Sequence, residues 1–431
     1  MNTFFRHKGA IESMLFGSSG IRQEFGPDLV DLAFRIGSAA AAGASEIALG
    51  RDTRTTSELL EHSVVSGMLA TGATVYSCGI APTPTVAYAT GSADAGCMIT
   101  ASHNPEPYNG VKLLNPDGSS FTVRQQAALE EALNGAHWKG WDEMGRLLPI
   151  DAVDAHREAI LDKVSLSHPI RAVLDCGNGA GSVITPDLLA EAGVTLTGLN
   201  CNVAGKFARP SEPLESNLPY IGEIVRRRGA ACAVVHDGDA DRMMAFDERG
   251  RYIDGDHLLM LFVKYLDCKR VVTTVDASMA IGEIADVRRT PVGDSFVSEE
   301  LISWGDFGGE PSGSWIFPGH SLCPDGVYAA ALLCEIASEC SIAEELDRMP
   351  RYTLLRRSCP VPDPRQVMAA MGAEEPAHGI RFEDEDGWYL VRASGTEPKI
   401  RITAEGRTPE KAKEMLEAAS AALKRARRSL E

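Results

Sequence analysis

Between Glu46 and Val275, short apolar runs alternate with helix-like segments, and this alternation restricts the fold more than any other feature of the chain. "EIALG" precedes a polar loop and the helical "SELLEHSVVSGMLATGA"; "ATVYSCG" and "AGCMIT" follow. "IRAVLDCGNGAG" leads to "TPDLLAEAGV", "TLTGLN", "IGEIVRRRGA" and "CAVVHDGDADRMMAF", with "RVVTTV" further on. The pattern predicts α/β layers with mixed or largely parallel sheets. In such layers, sites gather where loops leave the C-terminal ends of strands. The tail differs. "RYTLLRRSCPVP", "GIRFEDEDGWYLVRASGTEPKIRITAEG" and "TPEKAKEMLEAASAALKRARRSL" predict a smaller α+β unit, and the cations at the end of its last segment suit a helix C-terminus. A chain of 431 residues is too long for one core. We place the units at 1–150, 151–251, 252–350 and 351–431.

Charge and cysteine content narrow the function. The net charge of −18 argues against a nucleic-acid or membrane-surface binder, which needs a basic face. An anionic small substrate stays possible, because local arginines act at short range. The ten cysteines form no C-x-x-C pair, so zinc-ribbon and thioredoxin readings fail; they read as reduced core filler. The first twenty residues carry no signal-peptide apolar segment, and no run reaches 18 apolar residues. The expected location is the cytoplasm.

Four loops carry chemistry. In "MITASHNPEPYNGVKLL", Ser102 is a turn residue on its simplest reading. Prolines stiffen that loop beside His103 and Lys112, which makes Ser102 a candidate nucleophile or phosphate carrier. In "VVHDGDADRMMAF", Asp237, Asp239 and Asp241 alternate after an apolar strand, and three such carboxylates repel one another without a cation. Oxygen-only ligands favour Mg²⁺ or Ca²⁺. An EF-hand is excluded, since Arg242 stands where its turn needs Gly. In "GGEPSGSWIFPG", Glu310 and Ser312 suit sugar hydroxyls, with a Gly-rich surface turn as the rival. In "VRASGTEPKIRI", Arg392, Ser394, Gly395, Thr396 and Arg401 form a phosphate cradle, with a plain hairpin as the rival. "LDCGNGAGSVI" has the wrong glycine spacing for a dinucleotide site and reads as a packing turn.

Taken in order, these loops resemble those of the α-D-phosphohexomutase superfamily over essentially the whole chain. "FGSSGIR" resembles its opening motif, "TASHNPEPYNGVK" its phosphoserine loop, "DGDADR" its metal loop, "GEPSG" its sugar loop and "RASGTEPKIRI" its phosphate loop. The resemblance implies three similar α/β domains with mixed sheets and a smaller C-terminal α+β domain around a central cleft. It implies a phosphoserine at Ser102, with one Mg²⁺ held by Asp237, Asp239, Asp241 and a Ser102 phosphate oxygen. Arg22, Lys112 and Arg242 match positions around that phosphoserine, and His103 and Lys112 are candidates for proton transfer or charge stabilisation. Glu310 and Ser312 match sugar contacts, Asp294 a variable one, and the Arg392–Arg401 set the non-reacting phosphate.

The implied reaction interconverts hexose 6-phosphate and 1-phosphate through a hexose bisphosphate, which also serves as activator. The chain is most similar to the phosphoglucosamine mutases, with phosphomannomutases and phosphoglucomutases second. Ser314 departs from the commoner histidine of the sugar loop, and Gly-Ser-Ser-Gly from the frequent Gly-Thr-Ser-Gly. The expected partner is a small phosphosugar, and the expected state a monomer or homodimer. A Mg²⁺-dependent phosphatase or kinase using Asp237 as nucleophile would leave Ser102 idle. A sugar-phosphate sensor without catalysis sits poorly with the intact serine and carboxylates.

Overall fold

The computed structural model describes residues 15–430 apart from 18–19, 136, 374, 376–377 and 395–397. Its four sheets follow chain order. The first holds β1 (Ile21–Glu24), β2 (Glu46–Arg51), β3 (Thr74–Ile80), β4 (Ala95–Ile99), β5 (Tyr108–Leu114) and β6 (Arg146–Pro149), arranged 1-5-4-2-3-6. The second holds β7 (Ile170–Asp175), β8 (Val194–Leu199), β9 (Cys232–His236), β10 (Met243–Asp247) and β11 (Tyr252–Ile253), arranged 11-10-9-7-8. The third holds β12 (Arg270–Thr274), β13 (Asp286–Thr290), β14 (Phe307–Glu310), β15 (Ser314–Phe317) and β16 (Ser321–Pro324), arranged 13-12-14-15-16. The fourth holds β17 (Thr353–Pro360), β18 (Ile380–Glu383), β19 (Gly387–Ala393) and β20 (Lys399–Gly406), arranged 17-20-19-18 and wholly antiparallel. The alternating runs thus become α/β layers with mixed sheets, and the tail a small α+β unit.

One device recurs in the three mixed sheets. β4 runs parallel to β2, β9 to β7 and β14 to β12, and each then turns back antiparallel into β5, β10 or β15. The Ser102 loop, the acidic loop and the "PSG" loop are these three turns. Each leaves the C-terminal end of a parallel strand, where α/β layers place their sites.

The second and third sheets share one apolar core running from Ile160 to Leu346. The run "LLMLFV" lies inside it, on the helix Gly255–Tyr265, whose N-terminus Asp254 caps by accepting from the His257 amide. Two hydrogen bonds stitch the acidic hairpin to the sugar-loop hairpin: Met243 N to Gly313 O at 2.9 Å, and Trp315 Nε1 to Met243 O at 2.8 Å. The first and fourth sheets have cores of their own. The last helix, Pro409–Arg428, starts on a Thr408 cap and ends on Arg425, Arg427 and Arg428. Among the described residues no single helix is long and apolar enough to cross a membrane.

Candidate active site

Ser102 sits in the left-handed region, at φ 47°. So do Asn178 (φ 62°) and Ala240 (φ 54°), on the two turns that pack beneath it. Non-glycine residues hold that conformation at a cost, and only where neighbours fix it. The neighbours are close. A Cβ on Gly238 would lie 2.7 Å from Ser102 O, and one on Gly179 would lie 2.7 Å from Gly238 O. "DCGNGAG" is therefore a packing turn beneath the acidic loop, with Ala180 N donating to Gly238 O at 2.8 Å.

A clamp holds the Ser102 loop from the other side. The Arg54 guanidinium donates to the carbonyls of Ser102, Asn104, Pro105 and Tyr108 at 2.8–2.9 Å. Arg54 is in turn fixed by Asp52 at 3.0 Å, and Asp52 by the hydroxyls of Ser57 and Thr100. The sequence alone does not single out "RDTR"; its position at the C-terminal end of β2 is the available signal. Nor does it single out Ser211, whose hydroxyl donates to Ser102 O at 3.1 Å, or Thr83, whose hydroxyl donates to Asp239 Oδ2 at 2.6 Å.

The Ser102 hydroxyl donates to Asp237 Oδ2 at 2.7 Å and lies 3.4 Å from His103 Nδ1. Ligand oxygens of Asp237, Asp239 and Asp241 lie within 4.8 Å of one another, and all three residues are buried. Burial, then the charges of Asp239 and Asp241, hold the Asp237 carboxyl well above its ordinary range. Burial and Asp239 push Asp241 up to about 6. Asp239 Oδ1 and Asp241 Oδ1 are buried without a hydrogen-bond partner. Two orphaned oxygens among three crowded carboxylates fit a hard divalent cation.

Cations face this cluster. Lys112 Nζ, fully buried, pairs with Asp241 at 3.3 Å and Asp294 at 3.0 Å. Burial favours its neutral form, but Asp294 and Asp241 outweigh it and raise its pKa. Lys112 is thus held in its charged form. Arg22 donates to Asn104 Oδ1 at 3.2 Å. The charge of Arg242, then burial, Arg22 and Arg54, lower His103 to about 2. His103 is therefore neutral at physiological pH.

A cavity of about 260 Å³ opens onto these groups. Arg22 and His103 line it from the first unit, Arg242 from the second, and Gly293, Glu310 and Ser312 from the third. Burial and the Asp294 charge push Glu310 up to about 7. Asp294 itself is absent from the lining; its Oδ2 accepts from Lys112 and the Ser120 hydroxyl. Arg392 and Arg401 sit directly opposite each other on β19 and β20. Like charges in that register repel, so the pair suits an anion. Arg392 reaches the third unit at Asp276, 3.8 Å away. Ser394 follows β19 directly, and Gly395 and Thr396 lie outside the described residues.

Four successive domains and a cation-ready acidic loop beside a buried serine define a sugar-phosphate enzyme architecture, and the comparisons agree. The chain matches phosphoglucomutase/phosphomannomutase α/β/α domain I over residues 13–139, domain II over 151–250, domain III over 254–352 and the C-terminal domain over 358–422. It belongs to the phosphoglucomutase/phosphomannomutase family, the phosphohexomutases. A protein of Methanosarcina barkeri named "Probable phosphoglucosamine mutase" is 42% identical over 415 residues, covering 91% of this chain and 95% of that one. One of the same name from Pyrococcus furiosus is 38% identical over 441 residues, covering 95% and 98%. A solved phosphoglucomutase/phosphomannomutase family protein of Burkholderia thailandensis shares the fold at TM-score 0.83 and 23% identity, covering 95% and 97%. An Aspergillus fumigatus N-acetylphosphoglucosamine mutase, solved with GlcNAc-6P and magnesium, superposes at TM-score 0.57 and 15% identity, covering 95% of each chain.

Proposed function

We propose that this phosphohexomutase is a phosphoglucosamine mutase, interconverting hexosamine 6-phosphate and 1-phosphate. The names of the relatives at 38–42% identity support the sugar. The observation that carries the chemistry is the Ser102 hydroxyl held 2.7 Å from one of three clustered carboxylates.

In this reading Ser102 carries the transferring phosphoryl group. Its Oγ–P bond breaks as a sugar hydroxyl forms the new O–P bond, giving a hexosamine bisphosphate. The bisphosphate turns over, and its other phosphoryl group returns to Ser102. Asp237, Asp239, Asp241 and an oxygen of phospho-Ser102 would hold Mg²⁺, which would supply charge neutralisation of the phosphoryl oxygens. Arg22, Lys112 and Arg242 place further positive charge around them. Lys112 is itself positioned by Asp294, which gives Asp294 a supporting role beside the sugar contacts of Glu310 and Ser312. Arg392, Ser394, Gly395, Thr396 and Arg401 grip the phosphate that does not react. His103, neutral in the unphosphorylated state, gains basicity when a phosphate of about −1.5 to −2 charge sits beside it, and then takes or returns the hydroxyl proton.

The four units, 1–150, 151–251, 252–350 and 351–431, supply one loop each, and the enzyme works in the cytoplasm. Turnover of glucosamine, mannose and glucose phosphates is compared with Mg²⁺ and catalytic bisphosphate present. Preference for glucosamine phosphate is expected. Preference for mannose or glucose phosphate would transfer the protein to its sister subfamilies, and interconversion of none would remove the enzyme assignment.

A further inference from the structure

Ligating atoms converge at a second place, built from two imidazoles and one carboxylate. Nε2 of His156 lies 3.3 Å from Nε2 of His320 and 3.1 Å from Oδ2 of Asp325. Nε2 of His320 lies 3.3 Å from the same oxygen. The three side chains are 0%, 3% and 2% exposed. We propose that His156, His320 and Asp325 form a second metal site, for a transition-metal ion of the Zn²⁺ class, where the first three units meet.

The distances carry the argument. A tetrahedral ion with bonds of about 2.0 Å sets its ligand atoms about 3.3 Å apart. The triangle already has those edges. Two of the three ligands are also fixed by a hydrogen bond outside the triangle. Nδ1 of His156 meets the Thr85 hydroxyl at 2.9 Å, and the ring stacks on Tyr88 at 5.3 Å. Oδ1 of Asp325 accepts from the Tyr328 amide at 2.8 Å, capping the helix Gly326–Glu339 and leaving Oδ2 to the histidines. Outer partners of this kind set tautomer and ring orientation in metal sites. Hydrogen bonding alone is the rival. It would aim two Nε2–H groups at one oxygen, with the nitrogens 3.3 Å apart.

The ligand chemistry separates this site from the acidic loop. Imidazole suits Zn²⁺, Co²⁺ or Fe²⁺, whereas oxygen-only donors suit Mg²⁺. Access exists: His320 borders an open depression of about 330 Å³ shared with Lys163, Phe317, Gly319 and Tyr328. A fourth position is left for water. The two sites are mechanically joined. One helix, Thr83–Thr90, holds Asp239 through Thr83 and His156 through Thr85. An ion here would therefore brace the helix that supports the acidic loop. The proposal does not depend on which sugar the enzyme takes.

The test uses full-length protein, stripped with chelator and kept in saturating Mg²⁺, then titrated with Co²⁺ and Zn²⁺. One equivalent of Co²⁺ is expected, with the intense ligand-field band of a tetrahedral site, displaced by Zn²⁺ but not by Mg²⁺. Zn²⁺ should also raise the melting temperature. His320→Gln should remove the band and the thermal shift, with affinity falling by more than the roughly 10- to 100-fold that loss of an outer partner costs. Asp237→Asn should keep both. No such band in the wild type, or an unchanged band in His320→Gln, would overturn the proposal. Should His320→Gln fail to fold, X-ray absorption of the wild-type Zn²⁺ complex decides: two nitrogen ligands uphold the site and an all-oxygen shell removes it.

Discussion

Ser102 Oγ and Asp237 Oδ2 lie 2.7 Å apart across 135 residues of chain, joining the turn of the first sheet to the turn of the second. The contact forms because Gly238 lets the acidic loop approach Ser102 O, where any Cβ would collide. Ser102→Ala should abolish turnover and remove the phosphate found by intact mass, while leaving the far-ultraviolet spectrum unchanged. Ser102→Gly should be equally inactive but more stable than the alanine variant, by about 1 kcal/mol, because φ 47° suits glycine. An alanine variant that turns over at the wild-type rate would remove Ser102 from the chemistry.

Arg54 reaches no part of the cavity, yet it donates to four carbonyls of the Ser102 loop. Its truncation would also strand Asp52, which is fully buried and already held above its ordinary range by that burial. Arg54→Ala should therefore cost about 3–5 kcal/mol in urea unfolding, the range for breaking a buried ion pair. Adding Asp52→Asn should recover part of that loss, since no unpaired charge remains. If the double variant were less stable than the single by the full Asp52→Asn effect, the two residues would be energetically independent.

The candidate loops were legible because each packs its polar groups into a few consecutive residues. Asp237, Asp239 and Asp241 alternate in one turn, and Ser102 sits among residues that stiffen it. The alternation of runs likewise gave the α/β layers, since strands and helices are local. Arg54, Thr83, Ser211 and the trio His156, His320 and Asp325 could not be read this way. Each is a lone polar residue until the fold joins it to partners as many as 169 residues away. The same holds for Asp294. Its place in the chain pointed to a sugar contact, and only the packing of β5 against the third unit gives its carboxylate to Lys112.

The proposed phosphate grip should show in KM. Arg392 faces Arg401 across the β19–β20 ladder, and a charge-assisted contact to phosphate is worth roughly 1.5–3 kcal/mol. Arg392→Ala should thus raise KM for the sugar phosphate by roughly 10- to 150-fold, with Ser102 phosphorylation unchanged. An unaltered KM would place the phosphate elsewhere.

Glu310 gives the sugar loop a pH dependence. With its carboxyl pushed up to about 7, the ionised form, the proposed acceptor for sugar hydroxyls, grows between pH 6 and 8. KM should fall across that interval in the wild type. Glu310→Gln should be weaker throughout and flat over the same range. An identical slope in the variant would assign the titration to another group.

Asp256 offers the clearest link between burial and stability. It lies in the first turn of the helix Gly255–Tyr265 and accepts from the Ser278 amide at 2.7 Å. Burial, reinforced by Asp254, Glu405 and Asp276, lifts it from 3.8 to about 7. As pH rises from 4 to 7, the unfolded chain loses this proton first while the folded chain keeps it, so the folded state loses relative stability over that window. Above pH 7 both states are ionised and the loss is complete, at most about 4 kcal/mol. Asp256→Asn keeps an acceptor for Ser278 and has no charge to bury. It should change the urea midpoint little at pH 4 and raise it clearly at pH 8. A gain of equal size at both pH values would mean that packing, not ionisation, sets the effect.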